Sequence, residues 1–193
     1  MKKIVFIVIC VLIFSMISCK KEPQKDSPNE EKKIAVVYFS ATKNTKKVAE
    51  YISKYYSADI FEIVPQVPYT SSDLNYNNKD SRVSQEHNDS TIRPEISKPI
   101  DISSYDYIFL GYPIWWGQAP NILYTFVEEQ DFSNKIIIPF ATSASSSLGS
   151  SAKMLSVNQE GKWEEGIRFS SSVSESIIKD WLEELNINDR ENQ

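Results

Sequence analysis

Polar side chains crowd a short segment, residues 40–45, between an apolar run and a helical pattern. Its hydroxyl and amide side chains are those of Ser40, Thr42, Asn44 and Thr45. At a helix N-terminus such groups join the free backbone N–H groups and the helix dipole, which together favour a bound anion such as a phosphate monoester. Helix capping uses the same residue types, but one such residue is enough for a cap. The segment therefore predicts a phosphate site, with ordinary capping as the alternative.

A second segment, 111–120, reads Gly-Tyr-Pro-Ile-Trp-Trp-Gly-Gln-Ala-Pro. Adjacent Trp115 and Trp116 cannot both be buried in a loop bounded by glycine and proline. Large aromatic rings suit a flat conjugated ligand. The alternative is a hydrophobic lid or a surface for a partner.

A third segment, 142–151, is rich in serine. Short side chains let the backbone approach a ligand closely and offer hydroxyl partners, although a flexible serine-rich loop has the same composition. The segment becomes informative only through its position, which depends on the elements around it.

The rest of the chain alternates between apolar runs and helical patterns, which predicts an α/β fold. Strands are predicted at 34–39, 59–64, 105–111, 135–141 and 166–170, the last after a turn at 158–162, and helices at 44–56, 73–87, 120–129, 147–156 and 173–185. The apolar stripes are Val48, Ile52 and Tyr55 in the first helix and Val173, Ile177, Trp181 and Leu185 in the last. Strands separated by helices form a doubly wound five-stranded parallel sheet, which binds ligands beyond the carboxyl ends of its strands. The three segments follow strands one, three and four, so we expect them at that edge.

Several common sites are excluded. No three of the five glycines have G-x-G-x-x-G spacing, and Gly161 and Gly166, which have P-loop spacing, are followed by Ile167 and Arg168 instead of lysine and serine or threonine. A zinc site of histidine and cysteine is excluded because His87 is the single histidine and both cysteines lie within the first 19 residues. The sequence also lacks a G-x-S-x-G elbow, which disfavours a Ser–His hydrolase.

The first 19 residues predict an export signal. Lys2 and Lys3 precede an apolar run shorter than the roughly 20 residues of a membrane-spanning helix. The Met-Ile-Ser-Cys ending resembles the lipobox of bacterial lipoproteins, which implies lipidation of Cys19. A plain signal peptide or a short membrane anchor is the alternative.

Residues 20–33 are charged and carry no large apolar side chain, which predicts a solvated tether. The folded domain would then span 34–188, followed by a polar tail at 189–193. The arrangement predicts an exported protein anchored on the outer side of the cytoplasmic membrane or in the outer membrane. Without Lys2 and Lys3 the chain has 19 basic and 26 acidic residues, a formal charge of −7. This acidic balance argues against nucleic acid as a partner.

Together the three loops resemble those of the flavodoxin family, and particularly of its flavodoxin-like oxidoreductase branch. Residues 40–45 are similar to the S/T-x-T-G-N-T phosphate loop, 112–120 to the Y-P-I-W-W-G-x-A-P signature, and 142–149 to the T-S-G-x-S-x-x-G loop beside the flavin ring. The resemblance covers about residues 33–186. It implies a three-layer α/β/α fold with strand order 2-1-3-4-5 and FMN as a non-covalent cofactor.

The resemblance also implies which residues would bind FMN. The phosphate would bind at Ser40, Thr42, Lys43, Asn44 and Thr45, and the isoalloxazine ring among Pro113, Ile114, Trp115, Trp116, Gly117, Thr142, Ser143 and Ala144. Lys43 and Ala144 stand where the family usually has glycine. If position 43 requires a positive φ, lysine costs about 1 kcal/mol there relative to glycine. Its ammonium would either help to neutralise the phosphate or point into solvent.

In such a protein the flavin carries the redox chemistry, so neither a catalytic side chain nor a metal is demanded. His87 and Tyr112 are candidate proton donors to a substrate. An oxidoreductase with a quinone-like or protein acceptor is the favoured interpretation, because the two tryptophans and the long 65–104 segment could shape a substrate pocket. A one-electron carrier and a lipoprotein binding module that has lost FMN are the alternatives.

Overall fold

A computed structural model of the protein describes residues 32–187. Lys32 begins a compact unit that contains all of them. The predicted export signal, nearly all of the tether and the C-terminal tail lie outside the described residues. Within 32–187, no helix combines the length and the apolar character needed to cross a bilayer.

Six parallel strands form one sheet. They are β1 (Ile34–Tyr38), β2 (Asp59–Glu62), β3 (Tyr107–Pro113), β4 (Ile136–Ser143), β5 (Lys162–Trp163) and β6 (Ile167–Ser170). The helices are α1 (Asn44–Tyr56), α2 (Arg82–Asn88), α3 (Asn121–Glu128), α4 (Ser151–Leu155) and α5 (Glu175–Leu185). The strand order is β2-β1-β3-β4-β5, with β6 also paired to β4. This confirms the predicted doubly wound α/β class and the predicted strand order.

Apolar clusters on both faces of the sheet complete the three layers. One cluster joins Val36 of β1 to Ile52 of α1 and Trp181 of α5. The other joins Leu110 of β3 to Phe126 of α3. Because helices cover both faces, the central strands are continuous apolar runs rather than alternating ones.

Two residues in the predicted apolar stripes face solvent. Tyr55 of α1 is 38% exposed and Ile177 of α5 is 54% exposed. Because an α-helix has 3.6 residues per turn, residues spaced four apart move gradually off the buried face. The buried face therefore also contains residues that are three and one apart in sequence. In α5 the buried residues are accordingly Ile178, Trp181 and Leu182.

The helix predicted at 73–87 is wrong over most of its length, because only Arg82–Asn88 is helical. The side chains of Asn75 and Asn78 each accept a hydrogen bond from the backbone N–H two residues later. Such turns compete with helix formation. Ser81 then starts the helix by accepting a hydrogen bond from the backbone of its first turn.

The fifth strand is divided into β5 and β6, which pair with successive parts of β4. The prediction at 166–170 found β6, whereas the predicted turn at 158–162 runs into β5. Pro139 lies between the two pairings and has no N–H for the ladder. Gly166 lies so close to Pro139 that a Cβ atom at residue 166 would be 2.5 Å from the Pro139 carbonyl oxygen.

Candidate functional site

The carboxyl ends of β1, β3 and β4 bring the three predicted loops together, and hydrogen bonds connect them. The Ile114 amide donates to the Thr142 carbonyl oxygen over 2.9 Å. The hydroxyls of Thr45 and Thr142 lie 2.8 Å apart in a buried contact. The first and second loops are therefore both attached to the third.

A cavity of about 410 Å³ opens between these loops. Its lining residues are Thr42, Leu74, Tyr76, Val83, Ile114, Trp115, Trp116, Ser143, Ala144, Ser145 and Ser146. Part of the lining is aromatic and aliphatic, and the rest consists mainly of small hydroxyl side chains. These residues include no carboxylate, ammonium or guanidinium group, so the cavity suits a flat, uncharged ring. The remaining predicted site residues, Ser40, Lys43, Asn44, Thr45, Pro113, Gly117 and Thr142, belong to the same loops but do not line the cavity.

Lys43 adopts the left-handed backbone conformation, with φ 66° and ψ 2°. This is the condition under which lysine is costly, since a Cβ disfavours that region by about 1–2 kcal/mol. Helix α1 starts at the next residue, and the cap residue makes no side-chain hydrogen bond to it. The Asn44 side chain instead donates to the Thr42 hydroxyl over 3.2 Å. The capping alternative is therefore not supported, and the first amides of α1 lack intrahelical partners.

Ser40 carries an unsatisfied hydroxyl. Among the side chains of the described residues, its Oγ is the only buried polar atom without a hydrogen-bond partner. Leaving a buried hydroxyl unpaired costs about 1–3 kcal/mol. A phosphate oxygen would accept a hydrogen bond from this hydroxyl and from amides at the start of α1. The loop thus fits the phosphate of FMN.

The two tryptophans lie in different environments. Trp115 packs edge-on against Phe39 and Tyr69, with ring centroids 5.7 and 5.5 Å away. Trp116 is 42% exposed, and its indole stacks on the His87 ring with centroids 4.7 Å apart. Trp115 therefore attaches the loop to the core, whereas Trp116 forms an outer wall of the cavity.

Trp116 is the first central residue of a two-residue turn that Trp115 opens. The backbones of Trp115 and Gln118 exchange two N–H···O hydrogen bonds of 2.9 Å. The residues between them, Trp116 and Gly117, have φ of 47° and 79°. Positive φ at both central positions is typical of a type I′ turn, which favours Asn-Gly. A bulky residue in this conformation is rare, and such outliers cluster at functional sites.

The serine-rich loop is fixed by hydrogen bonds. The Ser143 hydroxyl donates to the Ser146 carbonyl oxygen, and the guanidinium of Arg168 in β6 donates to the Ser145 carbonyl oxygen over 3.3 Å. Ala144 is exposed and is not among the positive-φ positions of residues 32–187. Alanine therefore replaces the usual glycine here without backbone strain.

The 65–104 segment supplies cavity residues that sequence analysis did not identify. Leu74, Tyr76 and Val83 extend the apolar part of the lining. The available signal was the presence of large apolar and aromatic residues, such as Leu74 and Tyr76, among the polar residues of this stretch.

A buried carboxylate anchors this segment. Glu86 is 4% exposed and accepts hydrogen bonds of 2.7 Å from the Arg82 guanidinium and the Tyr69 hydroxyl. The Arg82 guanidinium also lies 3.9 Å from the centroid of the Tyr69 ring. Burial, and then the charge of Glu86, raise the pKa of Tyr69 above its ordinary value. Its hydroxyl therefore stays protonated and serves as a donor.

Neither candidate proton donor lines the cavity. Tyr112 is fully buried, and its hydroxyl lies 3.1 Å from that of Ser151. Burial raises the pKa of Tyr112 well above the ordinary value for tyrosine. His87 lines a separate small pocket shared with Trp116. Within residues 32–187 there is also no group of three or more His, Cys, Asp or Glu residues that could hold a metal ion.

The family model for flavodoxin matches residues 33–185. The chain belongs to the flavodoxin family. Two crystal structures of proteins designated flavoproteins are similar to this chain. The protein from Bacteroides eggerthii is 42% identical, with a TM-score of 0.75, and the match covers 81% of this chain and 99% of that one. The protein from Bacteroides uniformis is 40% identical, with a TM-score of 0.75 and coverage of 80% and 99%. The flavodoxin-family domain is thus nearly the whole chain in both relatives.

A flavoprotein from Lactobacillus acidophilus, whose crystal structure is a complex with FMN, has the same fold. It is 22% identical to this chain, with a TM-score of 0.60 and coverage of 79% of this chain and 99% of that one. No curated protein matches the chain.

Proposed function

We propose that this flavodoxin-family protein binds FMN non-covalently and is an exported, membrane-tethered oxidoreductase. It would pass electrons or hydride to a quinone-like or protein acceptor. The observation that carries the proposal is the cavity between the three loops. Thr42 lines this cavity and lies two residues before the start of α1, which has no side-chain cap. The FMN complex of the L. acidophilus protein, which shares the fold, supports it.

Each loop has a separate task in this proposal. The phosphate would bind to the Ser40 hydroxyl, to the first amides of α1 and to the side chains of Thr42, Lys43 and Asn44. Thr45 would support this loop through its hydrogen bond to Thr142. The isoalloxazine ring would lie between Ile114, Trp115 and Trp116 on one side and Ser143 and Ala144 on the other, with Pro113 and Gly117 shaping the loop. When bound, FMN supplies the electron or hydride transfer, and the chain binds and orients it.

The cavity lining favours an oxidoreductase with a flat, neutral acceptor. Leu74 and Val83 add apolar surface to the cavity. No positively charged side chain lines the cavity, so the phosphates of a second nucleotide would have no partner there. A quinone carries no phosphate and requires no such partner. A protein acceptor would meet the rim at Tyr76, which is 69% exposed. The one-electron carrier remains the second candidate because of that exposed rim.

The membrane tether belongs to the same proposal. The chain enters the domain at Ile34, the amino end of β1, while the cavity lies at the carboxyl ends of the strands. A lipid on Cys19 would attach the chain to a membrane through the residues that precede this strand. Cys19→Ala should abolish labelling of the protein by a radioactive fatty acid, and unchanged labelling would contradict lipidation.

Thr42→Ala tests the phosphate position. Loss of a hydrogen bond to a charged group should weaken FMN binding by about tenfold, while riboflavin, which lacks the phosphate, should bind as it does to the wild type. Titration of flavin fluorescence measures both affinities. Thr91→Ala is the matched control, because Thr91 is exposed and bonded to Asp89 outside the three loops. Equal FMN affinity in the Thr42 variant and the wild type would mean that the phosphate binds elsewhere.

A further inference from the structure

His87 has no part in the FMN site proposed above, yet it contacts the residue that forms the outer wall. The His87 and Trp116 rings are stacked, with centroids 4.7 Å apart and an interplanar angle of 18°. Tyr76 meets the same indole edge-on, with centroids 5.9 Å apart and an angle of 85°. Both partners come from the 65–104 segment, so two distant parts of the sequence meet at one side chain.

Trp116 requires support from outside its own loop. Its φ of 47° lies in the left-handed region, which disfavours a bulky side chain. Its ring is too exposed for the core to fix its rotamer. Stacked and edge-on aromatic contacts favour one orientation of such a ring. His87 and Tyr76 supply one contact of each kind.

The support itself is firmly held. His87 is in the last turn of α2, next to the buried Glu86 and its two hydrogen bonds. The Asn121 side chain of α3 donates to the backbone carbonyl oxygens of Glu86 and Asp89, over 2.8 and 3.0 Å. These contacts bracket His87 on both sides in sequence. The backbone that carries the imidazole is therefore held in place where the indole stacks on it.

We propose that His87 is a positioning residue for the flavin site. With Tyr76 it holds Trp116 in place as the outer wall of the cavity, and it thereby sets how tightly a flat conjugated ligand is bound. The identity of that ligand, FMN, rests on the proposed function. The dependence of the Trp116 turn on His87 does not rest on the proposed function.

The first measurement uses the flavin-free domain starting at Lys32, since nearly the whole chain of each Bacteroides relative consists of this domain alone. Hydrogen exchange of the Trp115 and Gln118 amides, which close the turn, should accelerate in His87→Ala. His87→Phe retains a flat ring and should restore slow exchange. Tyr55→Ala, which removes an exposed aromatic ring from α1, is the control and should leave these amides unchanged. Wild-type exchange rates in His87→Ala would overturn the proposal.

The second measurement is an FMN titration of the same variants. His87→Ala should weaken binding by about tenfold and shift the visible absorption band of the bound flavin, whereas His87→Phe should resemble the wild type in both. If wild-type protein binds no FMN, the proposed function fails and the exchange experiment still decides the role of His87. If the wild type binds and His87→Ala has the same affinity and spectrum, the positioning role is overturned. Should His87→Ala not fold, His87→Leu, which keeps a bulky side chain but removes the flat ring, provides the same comparison.

Discussion

At the scale of single residues, Lys43 combines a stability cost with a place in the proposed phosphate loop. The left-handed backbone that makes glycine usual at this position is present here, so the lysine side chain is kept against a conformational penalty. Its side chain is exposed, beside the uncapped start of α1. This combination favours a role in neutralising the phosphate over a side chain that only points into solvent.

Lys43→Gly should therefore stabilise the flavin-free domain by up to about 1 kcal/mol, because relief of the positive φ exceeds the entropy that glycine adds to the unfolded chain. The same change should weaken FMN binding several-fold through loss of the ammonium. Lys43→Ala is the matched variant, since it removes the charge but keeps a Cβ. It should lose affinity without gaining stability. Urea unfolding and FMN titration of both variants provide the check, and equal stability of the two would contradict the strain argument.

At the scale of elements, the 65–104 segment is part of the cavity wall. The antiparallel bridge between Pro65 and Ile96 closes residues 65–96 into a loop, and the Arg82–Glu86 pair fixes α2 inside this loop. Because the carboxylate is buried, breaking the pair costs more than breaking an exposed one.

Glu86→Gln should lower the free energy of unfolding by about 1–3 kcal/mol, because it leaves the Arg82 guanidinium without its buried counter-charge. Glu183→Gln is the control: it breaks the Lys179–Glu183 pair, which has the same i,i+4 spacing but is half exposed. That change should have little effect. Urea unfolding measures both. Limited proteolysis within residues 65–104 should accelerate only in Glu86→Gln, and equal effects of the two changes would contradict the anchoring role.

The sequence predicted most elements of the sheet and the three loops, because these depend on local patterns. Buried parallel strands are continuous apolar runs, and the carboxyl edge of such a sheet collects the loops that follow strands one, three and four. The helix at 73–87 was wrong because turns formed by Asn75 and Asn78 outweigh a weak helical pattern. The stack of His87 on Trp116 could not be predicted, since it joins residues far apart in sequence through a segment without periodicity. The division of the last strand opposite Pro139 likewise depends on a tertiary contact.

At the scale of the whole molecule, the chain enters at one end of the sheet and the cavity lies at the other. Binding of FMN in that cavity would require only the domain itself.

Titration of the wild-type domain with FMN tests whether the cavity binds the flavin. We expect one FMN per chain, bound below about 1 µM, with a shifted visible spectrum. At a free concentration one hundred times the Kd, FMN should stabilise the fold by about 2.7 kcal/mol. Absence of binding at about 10 µM FMN, together with an unchanged unfolding midpoint, would contradict the account and leave a flavodoxin-family domain that has lost its flavin.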